Sequence, residues 1–285
     1  MFEQKKINLQ NMKDLRLQGP YRKYIPYNIF QQCGIGHLNT LDYIFAFLIV
    51  ITNFTLIWKS HSSSFWNRPW DNNSEQELSQ LIQFYLDKAF YIHELPPFTI
   101  QFYSIIRRLK IAENLRYVSL FLNSSTLGFL FLITRRINCS RLISATGLLI
   151  LSNWETFRNE GTIISFDSLE WCLFSVVIYS FISISIAKLG TTNWFANVIT
   201  LSISLGLAIS SKFIGIVTWA FVILSFVRQF DRLISDVKVT TIQIIKFVIL
   251  CLLFVLIIPG SIFIISYSNL LSNFKTDTPQ FSKYM

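Results

Sequence analysis

Charge is what this 285-residue sequence has least of: Asp, Glu, Lys and Arg together make up 14%, where a soluble domain carries roughly a quarter. Cysteine is scarce as well. Cys33, Cys139, Cys172 and Cys251 fall in no metal-ligand or redox spacing and two of them lie inside apolar runs, which argues against a disulfide framework. With only three histidines and ten glycines, the chain shows no metal cluster, no glycine-rich phosphate loop and no nucleophile motif. What it has instead is apolar surface: 52% of residues are hydrophobic and 16% aromatic, 27 of them Phe, with a mean hydropathy of +0.45. Long apolar runs with few charges define a polytopic membrane protein and exclude secreted disulfide scaffolds, disordered tails and cytosolic enzymes.

Seven runs are candidate spans: about 41–58, 117–134, 142–154, 169–187, 195–210, 213–228 and 241–266, the last broken by Pro259-Gly260. Several are short, which suits a thin bilayer such as that of the endoplasmic reticulum. The net charge of +9 is explained by topology before nucleic acid, because Lys and Arg gather on the cytoplasmic side. Lys5, Lys6, Lys13, Arg16, Arg22 and Lys23 precede the first run, Arg135, Arg136 and Arg141 follow the second, and Arg228, Arg232 and Lys238 follow the sixth. If all seven runs span, these segments share one side. The N-terminus (1–40) is therefore placed in the cytosol, with 59–115, 155–168, Lys212 and 267–285 in the lumen. Residues 1–40 are too polar for a cleavable signal peptide, so the first run is expected to act as an uncleaved anchor. Arg107, Arg108 and Lys110 dissent, and a surface-lying amphipathic helix before the second run accounts for them.

The segment 59–115 is more than a linker. Trp66, Trp70, Asp71, Glu75 and Glu77 lead into an amphipathic stretch, then Pro96-Pro97, then a second apolar stretch, so surface helices flanking a carboxylate cluster are expected. Asn72-Asn73-Ser74 is a glycosylation sequon, usable at Asn72 if this loop is luminal. Each feature also has a plainer reading. The acids form a solvated loop; Lys212 snorkels or caps a helix end; Pro96-Pro97 separates two surface helices; Asp167 caps a helix and complements its dipole; His93 packs at a helix end.

Gly206-Leu207-Ala208-Ile209-Ser210-Ser211-Lys212-Phe213-Ile214-Gly215-Ile216-Val217-Thr218 is very similar to a segment of the protein O-mannosyltransferases, endoplasmic reticulum enzymes of the GT-C fold. Ser74-Glu75 followed by His93-Glu94-Leu95-Pro96-Pro97 resembles, in spacing, that family's Asp-Glu pair and its Asp-Val-His-Pro-Pro. Ile164–Leu169, Leu120–Gly128 and Thr278–Phe281 resemble further family segments, the last being similar to the one that leads into the family's MIR domain, which this chain is expected to lack. The resemblance covers about 41–285. It implies an all-α GT-C-like bundle of about seven spans, over 41–266, with luminal surface helices in 59–115 and a tail at 267–285 expected to be truncated.

The resemblance further implies mannose transfer from dolichyl-phosphate mannose to Ser or Thr hydroxyls of proteins entering the lumen, with no metal or other cofactor and with dimerisation beside a related subunit. Such a transfer needs a carboxylate to take the hydroxyl proton and a cation to meet the departing phosphate. The family's base position holds Ser74, and its further basic positions fall on Phe121 and Thr162. Glu75 and Asp71 are therefore the candidate bases, and Arg116, Arg158 and Lys212 the candidate phosphate-binding cations. Two other readings remain: a non-catalytic or truncated member that assembles with a relative, and a small transporter with helices broken at Ser-Ser-Lys and Pro-Gly. Charged groups at the luminal surface favour a glycosyltransferase, and charged groups at mid-bilayer a transporter.

Overall fold

The computed structural model describes residues 38–61, 66, 73–89, 95–111, 114–187, 191–235 and 240–273. Among them it is all-helical: α1 Thr40–Ser60, α2 Asn73–Leu86, α3 Phe98–Arg108, α4 Leu115–Arg136, α5 Arg141–Asn153, α6 Glu155–Thr162, α7 Phe166–Ile186, α8 Thr192–Ser211, α9 Ile214–Ser235, α10 Thr241–Cys251 and α11 Ile258–Asn273. A bilayer offers the backbone no water, so each apolar run must close its own hydrogen bonds, which a helix does. Their starts are set locally. Asn114, Ser140, Ser165 and Thr191 each accept a backbone N–H of the first turn with their side chains, a contribution of about 1 kcal/mol apiece. The expected cap at Asp167 thus belongs to Ser165, and Asp167 sits in the first turn beyond it.

Among the described residues five helices are long and apolar enough to cross a membrane, over Thr40–Ser60, Leu115–Arg136, Phe166–Ser185, Thr192–Ser211 and Ile244–Asn273. The other two expected runs are also helical. α5 has only 13 residues, and in α9 the apolar stretch Ile214–Leu224 is short. Both return the chain between the ends of the bundle, since α4 and α7 start at the same end and α8 and α11 run parallel. The last span reaches Asn273, beyond the expected 266. α2 and α3 lie across one end, α3 burying Ile100, Tyr103 and Ile106 while ending in Arg107 and Arg108, as an amphipathic surface helix should. Pro97 stands at the start of α3.

Pro259 does not break the last span. A proline lacks the N–H that would bond the carbonyl four residues back, and its ring crowds that carbonyl. The helix answers with a wider turn at Leu252–Ile257, and the released Val255 carbonyl accepts Trp219 Nε1–H while the Phe254 carbonyl accepts the Ser202 hydroxyl. Gly206 brings α8 within van der Waals reach of this helix: a Cβ there would stand 2.8 Å from Ile262 and 3.0 Å from Pro259. Around this seam Val198, Leu201, Leu205, Val222, Phe226, Phe247 and Val255 form the largest apolar core.

Candidate functional site

One end of the bundle gathers α2, α3, α6 and the starts of α4 and α7, with the ends of α8 and α11. Two linked polar clusters lie there. The first centres on Arg116, in the first turn of α4. Its Nε donates to Glu75 Oε1 at 2.7 Å and its Nη2 to Glu75 Oε2 at 2.9 Å, the side-by-side geometry that suits a planar guanidinium. Glu75 Oε1 also accepts the Ile164 backbone N–H at 3.1 Å. Arg116 Nη1 reaches the Trp66 carbonyl at 3.0 Å, which the Asn114 side chain also meets while it caps α4. Trp66 is buried against Tyr117 at 5.3 Å and donates its indole N–H to the Trp58 carbonyl. Glu75 and Arg116 are 0% and 3% exposed. One buried ion pair therefore ties together the end of α1, Trp66, α2, α4 and the link before α7.

The second cluster surrounds Lys212, which ends α8. Its Nζ donates to Asp167 Oδ1 and lies 3.3 Å from Glu170 Oε2. Next to it Glu160 accepts the Ser165 hydroxyl, Ser165 Oγ accepts the Asp167 backbone N–H at 2.9 Å, and Ser168 donates to the Glu160 carbonyl at 2.7 Å. Tyr103 joins the clusters, its hydroxyl paired with Ser119 at 2.7 Å and donating to the Ser165 carbonyl at 3.2 Å. Glu170 Oε1 is buried with no hydrogen-bond partner. The serines of the Ser-Ser-Lys turn bond back to Gly206 and Leu207 carbonyls, so Lys212 is that turn's outward-acting group.

Burial pulls Lys212 down, but the hydrogen bond and charge of Asp167, with those of Glu170, outweigh it and hold the ammonium above its ordinary value. Burial pushes Glu160 up, helped by the charge of Asp167 and opposed by the Ser165 hydroxyl and Lys212. An acid raised by folding binds more protons folded than unfolded, so stability falls as pH rises from the ordinary 4.5 through the raised value. Thermal unfolding in detergent is expected to show this decline across mildly acidic pH. Glu160→Gln, which keeps a partner for Ser165, should flatten it; an unchanged slope would show that another group is responsible.

Glu75 and Arg116, expected as base and phosphate cation, are each other's partners. Lys212 meets two carboxylates. Arg158 is exposed on α6. Phe121 points outward and Thr162 bonds the Asn159 carbonyl. Asp71, Asn72 and His93 lie outside the described residues, as does the Ser74 side chain. Sequence reasoning passed over Trp66 as an anchor and Glu160 and Glu170 as partners. For Glu160 the signal was there: a carboxylate in the segment 155–168, already expected on the same membrane side as Lys212. Among the described residues no His, Cys, Asp and Glu group could hold a metal ion.

Charged side chains among the described residues thus cluster at the helix ends, with polar amides and hydroxyls between, which is the pattern of a multi-pass membrane protein built around an interfacial site rather than a mid-bilayer channel. The fold agrees with a solved one: the Saccharomyces cerevisiae protein O-mannosyltransferase Pmt1-Pmt2 complex bound to the sugar donor superposes with a TM-score of 0.69 at 16% identity, covering 82% of this chain and 34% of that one. Residues 112–268 match the family described as dolichyl-phosphate-mannose-protein mannosyltransferase, and this chain belongs to that family. Dolichyl-phosphate-mannose-protein mannosyltransferase 5 of Candida albicans is 27% identical over 201 residues, 68% of this chain and 27% of the relative. The chain spans about a quarter of that relative's length.

Proposed function

We propose that this chain is the membrane part of an enzyme that moves mannose from dolichyl-phosphate mannose to Ser or Thr hydroxyls of proteins in the endoplasmic reticulum lumen, with its N-terminus cytosolic. The observation that carries this is the family match over 112–268, which contains Arg116, Glu160, Asp167, Glu170 and Lys212 and so most of the polar end of the bundle. The acceptor hydroxyl attacks the anomeric carbon, the bond to phosphate oxygen breaks with its electrons on the phosphate, and the hydroxyl proton goes to a carboxylate.

With both Glu75 oxygens held by Arg116 and Ile164, the base role passes to Asp71, whose segment is flanked by Trp66 and Glu75, both bound to Arg116. Glu75 and Arg116 then act as positioning residues. Arg158, exposed on α6, meets the lipid phosphate, and Lys212, held by Asp167 and Glu170 but still 26% exposed, offers it a further N–H. In membranes containing only this protein, Asp71→Asn is expected to lower transfer from dolichyl-phosphate mannose to a Ser/Thr-rich peptide by about 100-fold or more. Lys212→Met should mainly raise the donor KM. Unchanged transfer by Asp71→Asn would remove Asp71 as base.

Ser74 at the family's base position favours a second reading, an assembly partner that keeps the fold and lends its surface to an active relative. A folded, glycosylated but inactive unmutated chain, with transfer restored by co-expressing a relative, would establish that reading instead.

A further inference from the structure

At the end of the bundle opposite the site, α4 finishes with Arg135 and Arg136, and α5 begins with Arg141. Asp42, fully buried in the first turn of α1, accepts Arg135 Nε–H at 3.0 Å, Arg141 Nε–H at 2.8 Å and the Asn39 backbone N–H at 2.9 Å. Arg135 also donates to the Cys139 carbonyl. Arg141 lies over the Phe45 ring, 6.0 Å from its centroid, and remains 38% exposed. Arg136 is different. Its Nε is buried and has no hydrogen-bond partner.

Two of these three guanidiniums bond Asp42 and the third, Arg136, does not, so among the described side chains one carboxylate faces three positive charges and two stay uncompensated. The preference for basic residues on one membrane face explains why arginines stand here. It does not explain a buried, unpartnered N–H beside Arg135 and Arg141, which are both bonded, since such a donor is costly without an acceptor. A ligand for this cluster must be anionic, carry several acceptor oxygens for planar donors, and be present where the helix ends meet the bilayer boundary. The neighbouring surface is apolar: Leu142 and Ile143 on α5 are 77% and 66% exposed, a face on which an acyl chain can lie.

We propose that Arg135, Arg136 and Arg141 hold the phosphate of an anionic membrane phospholipid, with Arg136 as the principal donor. The lipid docks α1, α4 and α5 to one another at this end, as basic pockets between spanning helices do for acidic headgroups. The inference is independent of the transfer activity.

The test uses the full chain, purified in detergent, exchanged into phosphatidylcholine nanodiscs containing a minor share of phosphatidylserine, then stripped, with retained lipid counted by native mass spectrometry. Enrichment of phosphatidylserine over phosphatidylcholine is expected for the unmutated chain, and an approximately tenfold loss of it for Arg136→Gln/Arg141→Gln. Asp42→Asn, which removes the competing carboxylate, should keep or raise the enrichment. Should the double variant fail to fold, Arg136→Lys keeps the charge but not the fork and is expected to lose part of the enrichment. Equal retention of both lipids by the unmutated chain, or by the folded double variant the same enrichment as the unmutated chain, would overturn the proposal. So would stabilisation by inorganic phosphate equal to that by phosphatidylserine, which would assign the cluster to the free ion.

Discussion

Replacing Arg116 by Met is expected to destabilise the protein by about 3–5 kcal/mol, the usual cost of stranding one member of a buried ion pair. Glu75 is 0% exposed and would keep only the Ile164 N–H, while the Trp66 carbonyl would lose one of its donors. The effect should propagate, because α2 and Trp66 are held to α4 through this guanidinium. Unfolding in detergent, followed by far-ultraviolet circular dichroism, measures it. The companion variant Glu75→Gln/Arg116→Met should lose clearly less than the two single losses added together, since the second change removes the charge the first left stranded. Strict additivity would show that the pair contributes packing and not charge compensation. Under the proposed function, transfer activity should fall with Arg116→Met even where the protein is held folded at low temperature, because Trp66 and Glu75, which bracket Asp71 in the sequence, both lose this anchor.

Gly215→Ala carries the second large effect. A Cβ at this position would stand 2.7 Å from both the backbone N and Cα of Ile209 and 2.8 Å from the Ala208 carbonyl carbon. Those atoms belong to the backbone of α8, so relief requires α9 to move away as a unit. Overpacking usually costs about 1–3 kcal/mol, and contacts with backbone put this substitution at the upper end. The displaced turn includes Lys212, so its contact with Asp167 should loosen as well, and the donor KM should rise with the loss of stability. Gly147 on α5 is the control: a Cβ there meets nothing within 4 Å, and Gly147→Ala in a helix should stabilise by roughly 0.5–1 kcal/mol. Equal responses at the two glycines would show that close helix contact is not what the residue at 215 serves.

The family segment around Lys212 is thus explained by packing at both of its glycines and by charge at its lysine. Gly206 seats α8 on the last span, Gly215 seats α9 on α8, and Lys212 lies between them against α7. That segment was legible because its residue types are unusual for an apolar span. The Glu75–Arg116 pair was not, although both residues stood out singly: 41 positions separate them, and nothing in local spacing says which cation a carboxylate will face once helices pack. Reading them as base and phosphate ligand treated each as free. Trp66 looked like one interfacial aromatic among several, yet its carbonyl is a fixed acceptor for Arg116 and Asn114. Pro259-Gly260 read as a break, whereas tertiary contacts from Trp219 and Ser202 satisfy the carbonyls that the widened turn releases.

By itself the sequence determined the class of the molecule, the approximate place of its helices and the gathering of its polar loops at one end. Those follow from local physics, because a run of apolar residues in lipid has no backbone partner but its own, and each return of the chain must come back to the face it left. It also carried the family, through one family-like segment and a spacing. Only the tertiary structure decided which ionisable groups are spent on each other and which remain to do chemistry. It joined Glu75 to Arg116, set Lys212 between Asp167 and Glu170, and left three arginines with one aspartate at the far end. Pairing of charges depends on a few ångströms of side-chain approach across distant segments, and in a buried site that approach outweighs anything the residue's own neighbours in the chain can specify.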